Sequence, residues 1–549
     1  MNQRKNIMSI FLEGTAGLYV LVMLVFFPLF YQDNYIDISS AKLSFFTICT
    51  VGMAAAMLLF AGMGKLQQYK EKMLQTEARQ TNGQWDDDHT NATRRLSLRQ
   101  WLSKVSITTW FLLIFAAGVC MATIFSINPL ESLYAKSGRK LGLLVFLLCI
   151  AMYVMVGTYF RPGKWVIWFF WGANTIVFLL NVLNYWGLDP LGMYKNLQAL
   201  QHQSFTSTIG NINAYVGYLC MVIPAAMVLY ILEEKRVVRM VAGAFLVLGF
   251  CTCYCSCSES WFLGIGLVFL ILLWFAMGNS LRMRRFLEVC CFFWLGSLLM
   301  KGFLLVGEAV GFWSSMTLYF KQQRLLHDVL LQGYTLTMMG ILVIGALCYT
   351  RYREKRNKNF SYRKLRTWLF LGLGCLFGSA CLLVVVANLK PGTWEGIFAV
   401  LNSLKIQDRF GSGRGYIWRT TVEGWLDLPL WDKITGYGLN CYYSFIQKYD
   451  AAGATEMFVG MKLVDAHNEF LQFLVTTGVF GVVGYFGLLI STVVSSAKKY
   501  LEKPIMLLGI VVPCGYMAQG MVNNPTVFLT PYLFLMLGII KSLEKIENV

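Results

Sequence analysis

Hydrophobic residues in this chain come in long runs that polar residues barely interrupt. About 20 residues at the helical rise cover the hydrocarbon core of a bilayer, so apolar runs of roughly 18 or more predict membrane-spanning helices. About fourteen such runs are present, near 14–31, 43–63, 105–127, 141–160, 165–184, 212–232, 240–257, 261–278, 287–309, 329–350, 367–388, 468–497, 505–522 and 527–540. Lys301 and Glu308 interrupt the 287–309 run, which makes it the weakest of the set. The pattern therefore predicts an all-α, polytopic integral membrane protein. No internal repeat suggests the inverted halves of a transporter.

Two hydrophilic stretches break the pattern. Residues 64–104 mix Lys65, Lys70 and Lys72 with Asp86-Asp87-Asp88 and Arg94-Arg95, as a solvated linker does. Residues 389–467 are different in kind. Aromatic residues and glycines alternate there with positive charges, without low complexity, and a long loop of that type usually carries function. Four regions follow: N-terminal helices with a linker (1–104), a transmembrane core (105–388), the long loop (389–467) and C-terminal helices (468–549).

The formal charge of +18 would suggest nucleic acid in a soluble protein. Here both tails and the even-numbered loops hold about 31 of the 47 lysines and arginines, the distribution of a membrane protein with cytoplasmic termini. Basic residues are not interleaved with exposed aromatics in a soluble domain, so a nucleic-acid partner is not expected. By the same count 389–467 lies outside the cell membrane. Of the fifteen cysteines only Cys441 falls in that loop, which excludes a disulfide framework there. Cys251, Cys253, Cys255 and Cys257 are spaced so that a helix scatters them around its axis, which suits no metal.

Two segments of the outer region could carry chemistry. Read as a helix, Arg414, Trp418, Val422 and Trp425 fall on one face, with the tryptophans in the membrane interface among membrane lipids. Arg414 is then placed to grip a phosphate with its planar fork. Arg419 points about 140° away around the axis, so the two guanidinium groups need not serve one ligand. Asp465-Ala466-His467-Asn468 follows at the lip of the next span. If Asp465 caps that helix, His467 sits in its first turn, where the positive helix end keeps the imidazole neutral and available as a base. His467, Leu471, Leu474, Gly478 and Gly481 would share one stripe, the glycines permitting close helix contact.

Gly413-Arg414-Gly415-Tyr416-Ile417-Trp418-Arg419, Pro429, Gly436-Tyr437-Gly438-Leu439-Asn440, Asp465 through Gln472 and Gly478-Val479-Phe480-Gly481 resemble, in order and spacing, the conserved domain of O-antigen ligases and polymerases. Gly210-Asn211-Ile212-Asn213 is similar to that family's Gly-Asn-x-Asn element, and Phe125 through Pro129 with Arg139 to its weaker N-terminal pattern. The resemblance implies a metal-independent, inverting glycosyltransferase with no cofactor, acting on the extracytoplasmic side. Its donor would be a polyprenyl-pyrophosphate-linked oligosaccharide, and its acceptor a hydroxyl of a glycan, lipid or wall polymer. His467 is then the catalytic base, with Arg414, Arg419, Trp418, Asn468, Asn211, Asn213 and Arg139 binding substrate. Polymerase and ligase are left open, and a transporter or flippase of lipid-linked sugars is the alternative. Two departures stand out: Ser258-Glu259-Ser260 where many members carry Ser-Arg, and Gln201-His202-Gln203-Ser204 where many carry an arginine. Arg139, Lys140, Lys195, Arg324 or Arg409 could replace those cations.

Overall fold

A computed structural model describes residues 7–81, 105–312, 314–322, 325–356, 361–389 and 392–545. The chain is built from helices: α1 (Ile7–Leu29), α2 (Ile38–Thr81), α3 (Ile107–Ile124), α4 (Pro129–Tyr134), α5 (Leu143–Tyr159) and α6 (Trp165–Tyr185). After a two-residue hairpin come α7 (Ile212–Leu232), α8 (Arg236–Cys255), α9 (Trp261–Ala276), α10 (Ser280–Val310) and α11 (Ser315–Phe320). Then follow α12 (Gly333–Arg356), α13 (Arg363–Leu389), α14 (Phe410–Asp427), α15 (Leu430–Thr435) and α16 (Tyr442–Met457). The chain closes with α17 (Glu469–Lys499), α18 (Leu508–Gly520) and α19 (Thr530–Leu543).

Ten of the described helices are long and apolar enough to cross a membrane, and four shorter ones are also apolar. Each run read from the hydropathy pattern overlaps one of these helices, so the protein is a polytopic all-α membrane protein. The weak run at 287–309 is part of α10, a continuous helix of 31 residues. Glu308 stands at its end, half exposed, 3.7 Å from Lys321. Residues 82–104 of the expected linker lie outside the described residues.

A helix that is apolar all round belongs in the middle of a bundle. In α7, 18 of the 21 residues are buried, among α8, α9 and α18. At the periphery α13 buries only Ala387, and Trp368, Leu371, Leu376 and Phe377 project outward, as lipid-facing side chains do. The most intimate pair is α3 with α17. Small residues permit this: a Cβ added to Gly118 would come within 2.8 Å of the Gly481 nitrogen, and one on Gly484 would overlap the Phe115 backbone.

Contacts sort the connections between helices into two ends. At one end the α1 residue Glu13 meets Arg161, Arg282 donates to the Tyr500 hydroxyl at 2.5 Å, and Lys499 reaches Glu544. At the other, Ile127 N donates to Tyr437 O, Asn440 Nδ2 donates to Glu131 Oε1, and Asn523 Nδ2 donates to Ser260 Oγ. The hairpin pairs Phe205 with Asn211 and Thr206 with Gly210 at that second end. The 389–467 stretch also belongs there and encloses its own apolar core around Tyr416, Ile417, Tyr442, Phe445 and Ile446.

The α3–α17 seam yields a stability prediction. Gly484→Val is overpacked against backbone that cannot yield, at a cost of about 1–3 kcal/mol or more. Purified in detergent, this variant should unfold at lower temperature than wild type, whereas Gly172→Ala, which meets nothing within 4 Å, should not. Equal unfolding temperatures would contradict the close seam.

Candidate functional site

His467 is positioned by the buried carboxylate two residues before it. Asp465 Oδ1 accepts the His467 backbone N–H at 3.1 Å, and this turn holds His467 in the left-handed region at φ 45°. Asp465 Oδ2 accepts from Arg139 Nε at 2.7 Å, with Arg139 Nη2 at 2.5 Å, across 326 residues of chain. The His467 ring therefore lies just outside α17, not in its first turn. The cap is Asn468, whose Oδ1 accepts from Leu471 N at 3.0 Å. Asp465 lies three residues before that cap, and its oxygens take the His467 N–H and Arg139 instead. Nor does a straight stripe run down this helix: Gly478 is non-helical (φ 63°, ψ −171°), and its Cβ position would collide with Ile434 O.

The electrostatics of the cluster follow from burial and three charges. Burial pushes the Asp465 carboxyl up, but Arg139 and His467 outweigh it and hold the group below its ordinary value. For His467 burial is the largest influence and lowers the imidazole. Asp465 opposes that, while Arg139 and Arg414 add to the lowering. Nδ1 is the buried ring nitrogen and lies 3.5 Å from Asp465 Oδ1, too far and too oblique for a hydrogen bond. Nε2 is left on the exposed side of a ring that is 27% exposed.

Arg414 enters from α14. Gly411, Ser412 and Gly413 all have positive φ, so the chain turns sharply and regular helix begins only at Arg414. That turn aims the guanidinium back at the bundle, where Nε donates to Val522 O at 2.9 Å and Nη1 to Gly411 O at 2.7 Å. Nη2 lies 3.4 Å from Asn523 Oδ1. Burial is the main influence on Arg414 and lowers it; Asp465 opposes. Its partners are these carbonyls and not the Trp418 ring. Trp418 and Trp425 pack on the core of the outer segment, and α14 buries Tyr416, Ile417, Thr420, Thr421 and Gly424. The expected interfacial stripe is thus not the buried one, and its member Val422 is exposed.

The remaining predicted residues divide. Asn211 caps α7, accepting from Asn213 N at 2.9 Å. Asn213 Oδ1 accepts from Ser258 Oγ at 3.0 Å, Ser258 meets Ser260, and Ser260 accepts from Asn523, the Arg414 neighbour. Asn468 Nδ2 donates to Met521 O at 2.8 Å. One polar line thus connects Asn213, the two serines, Asn523 and Arg414, with Asn468 one residue from its end. Arg419 stands apart: it makes a two-pronged ion pair with Asp408 at 3.1 and 2.9 Å and a second with Glu423, all half exposed. Trp418 is not part of the line: its ring lies 6.2 Å from that of Phe410, and its buried Nε1 has no hydrogen-bond partner among the described residues. Glu259, the middle residue of the departing Ser258-Glu259-Ser260 element, accepts from Leu325 N and Leu326 N and anchors that segment. Of the candidate replacement cations, Arg139 joins the cluster, and Arg324 lies outside the described residues.

Met521 through Asn524 were not singled out from the sequence. The available signal is slight: an Asn-Asn-Pro break only a few residues long between two apolar runs, where polar side chains must find partners. Among the described residues no group of three His, Cys, Asp or Glu is placed to hold a metal ion. What the cluster offers chemically is a neutral imidazole for taking a proton and guanidinium charge for stabilising an anion.

The chain matches no curated protein sequence. Residues 325–486 match the family model described as O-antigen ligase. That stretch holds Arg414, Asp465, His467 and Asn468, and through it the chain carries the domain of the O-antigen ligase and polymerase family.

Proposed function

We propose that this protein is a membrane glycosyltransferase that moves or polymerises oligosaccharide from a polyprenyl-pyrophosphate carrier onto an acceptor hydroxyl, on the extracytoplasmic face. The observation that carries the reading is the position of His467. Its exposed Nε2 is turned away from a carboxylate, and Arg414 lies close enough to lower its proton affinity. With Nδ1 buried on the Asp465 side and without a hydrogen bond, Nε2 is the nitrogen left to take up a proton, as a general base requires.

In the proposed reaction His467 Nε2 removes the proton from the acceptor hydroxyl as its oxygen attacks the anomeric carbon. The bond from that carbon to the pyrophosphate oxygen breaks, and the electron pair leaves with the pyrophosphate. Attack opposite the leaving group inverts the anomeric centre. Arg414 stabilises the charge that develops on the departing phosphate, and its carbonyl partners hold it in place before substrate arrives. Holding two bulky substrates in line lowers the entropic part of the barrier. Asn468, Asn211 and Asn213 shape the site through the segments that they cap or tether. The transporter alternative calls for charged groups within the bundle; of Lys301 and Glu308, Glu308 stands at a helix end beside Lys321, whereas Lys42 and Glu469 are buried in the bundle.

Sidedness comes first among the expected outcomes. In intact cells Ser444→Cys should react with an impermeant maleimide above the native background, and Glu234→Cys only after permeabilisation. The opposite pattern would put His467 on the cytoplasmic side. Chemistry is read with purified protein in detergent, where no membrane barrier exists, as a new glycosidic bond formed from a polyprenyl-pyrophosphate glycan. His467→Ala should stay folded and transfer at least ~10²-fold more slowly. Arg414→Lys should lose about as much, because an ammonium lacks the planar fork. A protein that binds the donor but forms no bond in any variant would be a carrier.

The pH dependence has a definite sign. A base works only when unprotonated, so the rate should fall as pH drops through the His467 value, which burial places below the ordinary histidine value of about 6.5. Asp465 raises His467, so Asp465→Asn should move that acid limb further down. An upward shift would contradict the assignment.

A further inference from the structure

Beyond the His467 cluster, at the same end of the bundle, lies a cleft of about 210 Å³ bounded by Asn184, Tyr194, His202, Phe312 and Ser314. We propose that this cleft is a second saccharide subsite, which grips one neutral sugar residue of the glycan away from the bond being made. The proposal deepens the glycosyltransferase reading and rests on it.

Three features of the cleft favour a sugar. Its size is below the ~300–1,000 Å³ of pockets for drug-sized ligands, which leaves room for a single ring. Its walls are aromatic and fixed. Asp189 accepts from Met193 N and Tyr194 N, and the Tyr194 hydroxyl donates to Phe205 O at 2.8 Å, so the tyrosine ring is held from both sides. Phe312 stacks on Trp186 at 6.2 Å. Phe312, 43% exposed, presents the flat apolar surface on which the C–H face of a pyranose rests. Third, among the described residues the polar lining holds amide, hydroxyl and imidazole groups and no carboxylate, guanidinium or ammonium. His202 lies against Tyr194, with ring centroids 4.8 Å apart and tilted by 33°, and among the described residues its ring nitrogens have no hydrogen-bond partner. An imidazole supplies one donor and one acceptor, which matches a pair of sugar hydroxyls.

Among the described residues the lining also separates this cleft from the Arg414 cluster: it includes no guanidinium or ammonium for a phosphate to meet. Its mouth is kept open by Gly187, at φ 74°, where a Cβ would come within 2.9 Å of Ser314 Cβ. The hairpin at 205–211 lies between the two places. Its first strand accepts the Tyr194 hydroxyl bond, and its second ends at Asn211, the cap of α7. A glycan seated at both would therefore cross that hairpin.

The test uses wild type, His202→Ala, Phe312→Ala and His467→Ala, purified in detergent and checked for equal thermal unfolding. Saturation-transfer NMR with free galactose and free N-acetylglucosamine reads binding. Wild type and His467→Ala should both bind at least one of the two. His202→Ala and Phe312→Ala should bind it about tenfold more weakly or not at all, as expected when a hydrogen-bonding or stacking partner is lost. In transfer assays the same two variants should raise KM for the glycan acceptor and leave kcat near wild type. No binding by wild type, or binding unchanged in a folded His202→Ala and Phe312→Ala, overturns the subsite. If wild type binds sugar through His202 yet forms no glycosidic bond, the glycosyltransferase reading fails while the subsite stands.

Discussion

A carboxylate buried in a protein must be compensated by charge and hydrogen bonds, or it gives up its charge. Asp465 is buried and compensated by Arg139 from the α4–α5 connection, while its other oxygen takes the His467 backbone N–H. Removing one partner of a buried ion pair costs about 3–5 kcal/mol, and here the cost falls on one short stretch before α17. The left-handed backbone of His467, the direction of its ring and the start of the helix at Asn468 all follow from that pair. Arg139 also ties the first third of the chain to the segment carrying the histidine, so the site is a product of the whole bundle.

The close α3–α17 seam sets the level at which this happens. With glycines at the contact, α17 lies against α3 tightly enough to fix where its first turn emerges. The break at Gly478 lets the chain at Gly436 reach α17, where Tyr437 N donates to Val475 O and Gly438 N to Thr476 O. The outer segment is thereby docked on the helix that bears the cap. From that docked segment α14 returns Arg414 to the carbonyl of Val522 at the end of α18. A histidine and an arginine 53 residues apart are thus brought within electrostatic reach of each other by backbone contacts, which are less tolerant of drift than a pair of long side chains on a loop.

The bundle was legible because its signal is local: a run of apolar residues means the same thing wherever it falls. His467 stood out as one of four histidines, placed at the lip of an apolar run, and Arg414 through the motif Gly413 to Arg419. Directions were harder. Arg419 and Arg414 differ little as sequence, yet one faces Asp408 and Glu423 in the open and the other is partly buried against Val522, a difference set by three positive-φ residues in the opening turn of α14. Asp465 and Asn468 are both good cap residues. The choice between them was made by Arg139, more than 300 residues upstream, which no local pattern reports. Asn523 stayed hidden for the same reason, since its importance lies wholly in what it touches.

The central claim is that Arg414 and His467 face one reacting bond. Its most direct test is a cryo-EM structure with a non-transferable polyprenyl pyrophosphonate glycan in place of the donor. The account predicts pyrophosphonate density against Arg414, with the anomeric carbon on the Nε2 side of His467 and room between them for an acceptor hydroxyl. Density for the pyrophosphonate at the exposed Arg419, or anywhere that leaves His467 out of reach of the anomeric carbon, would contradict it.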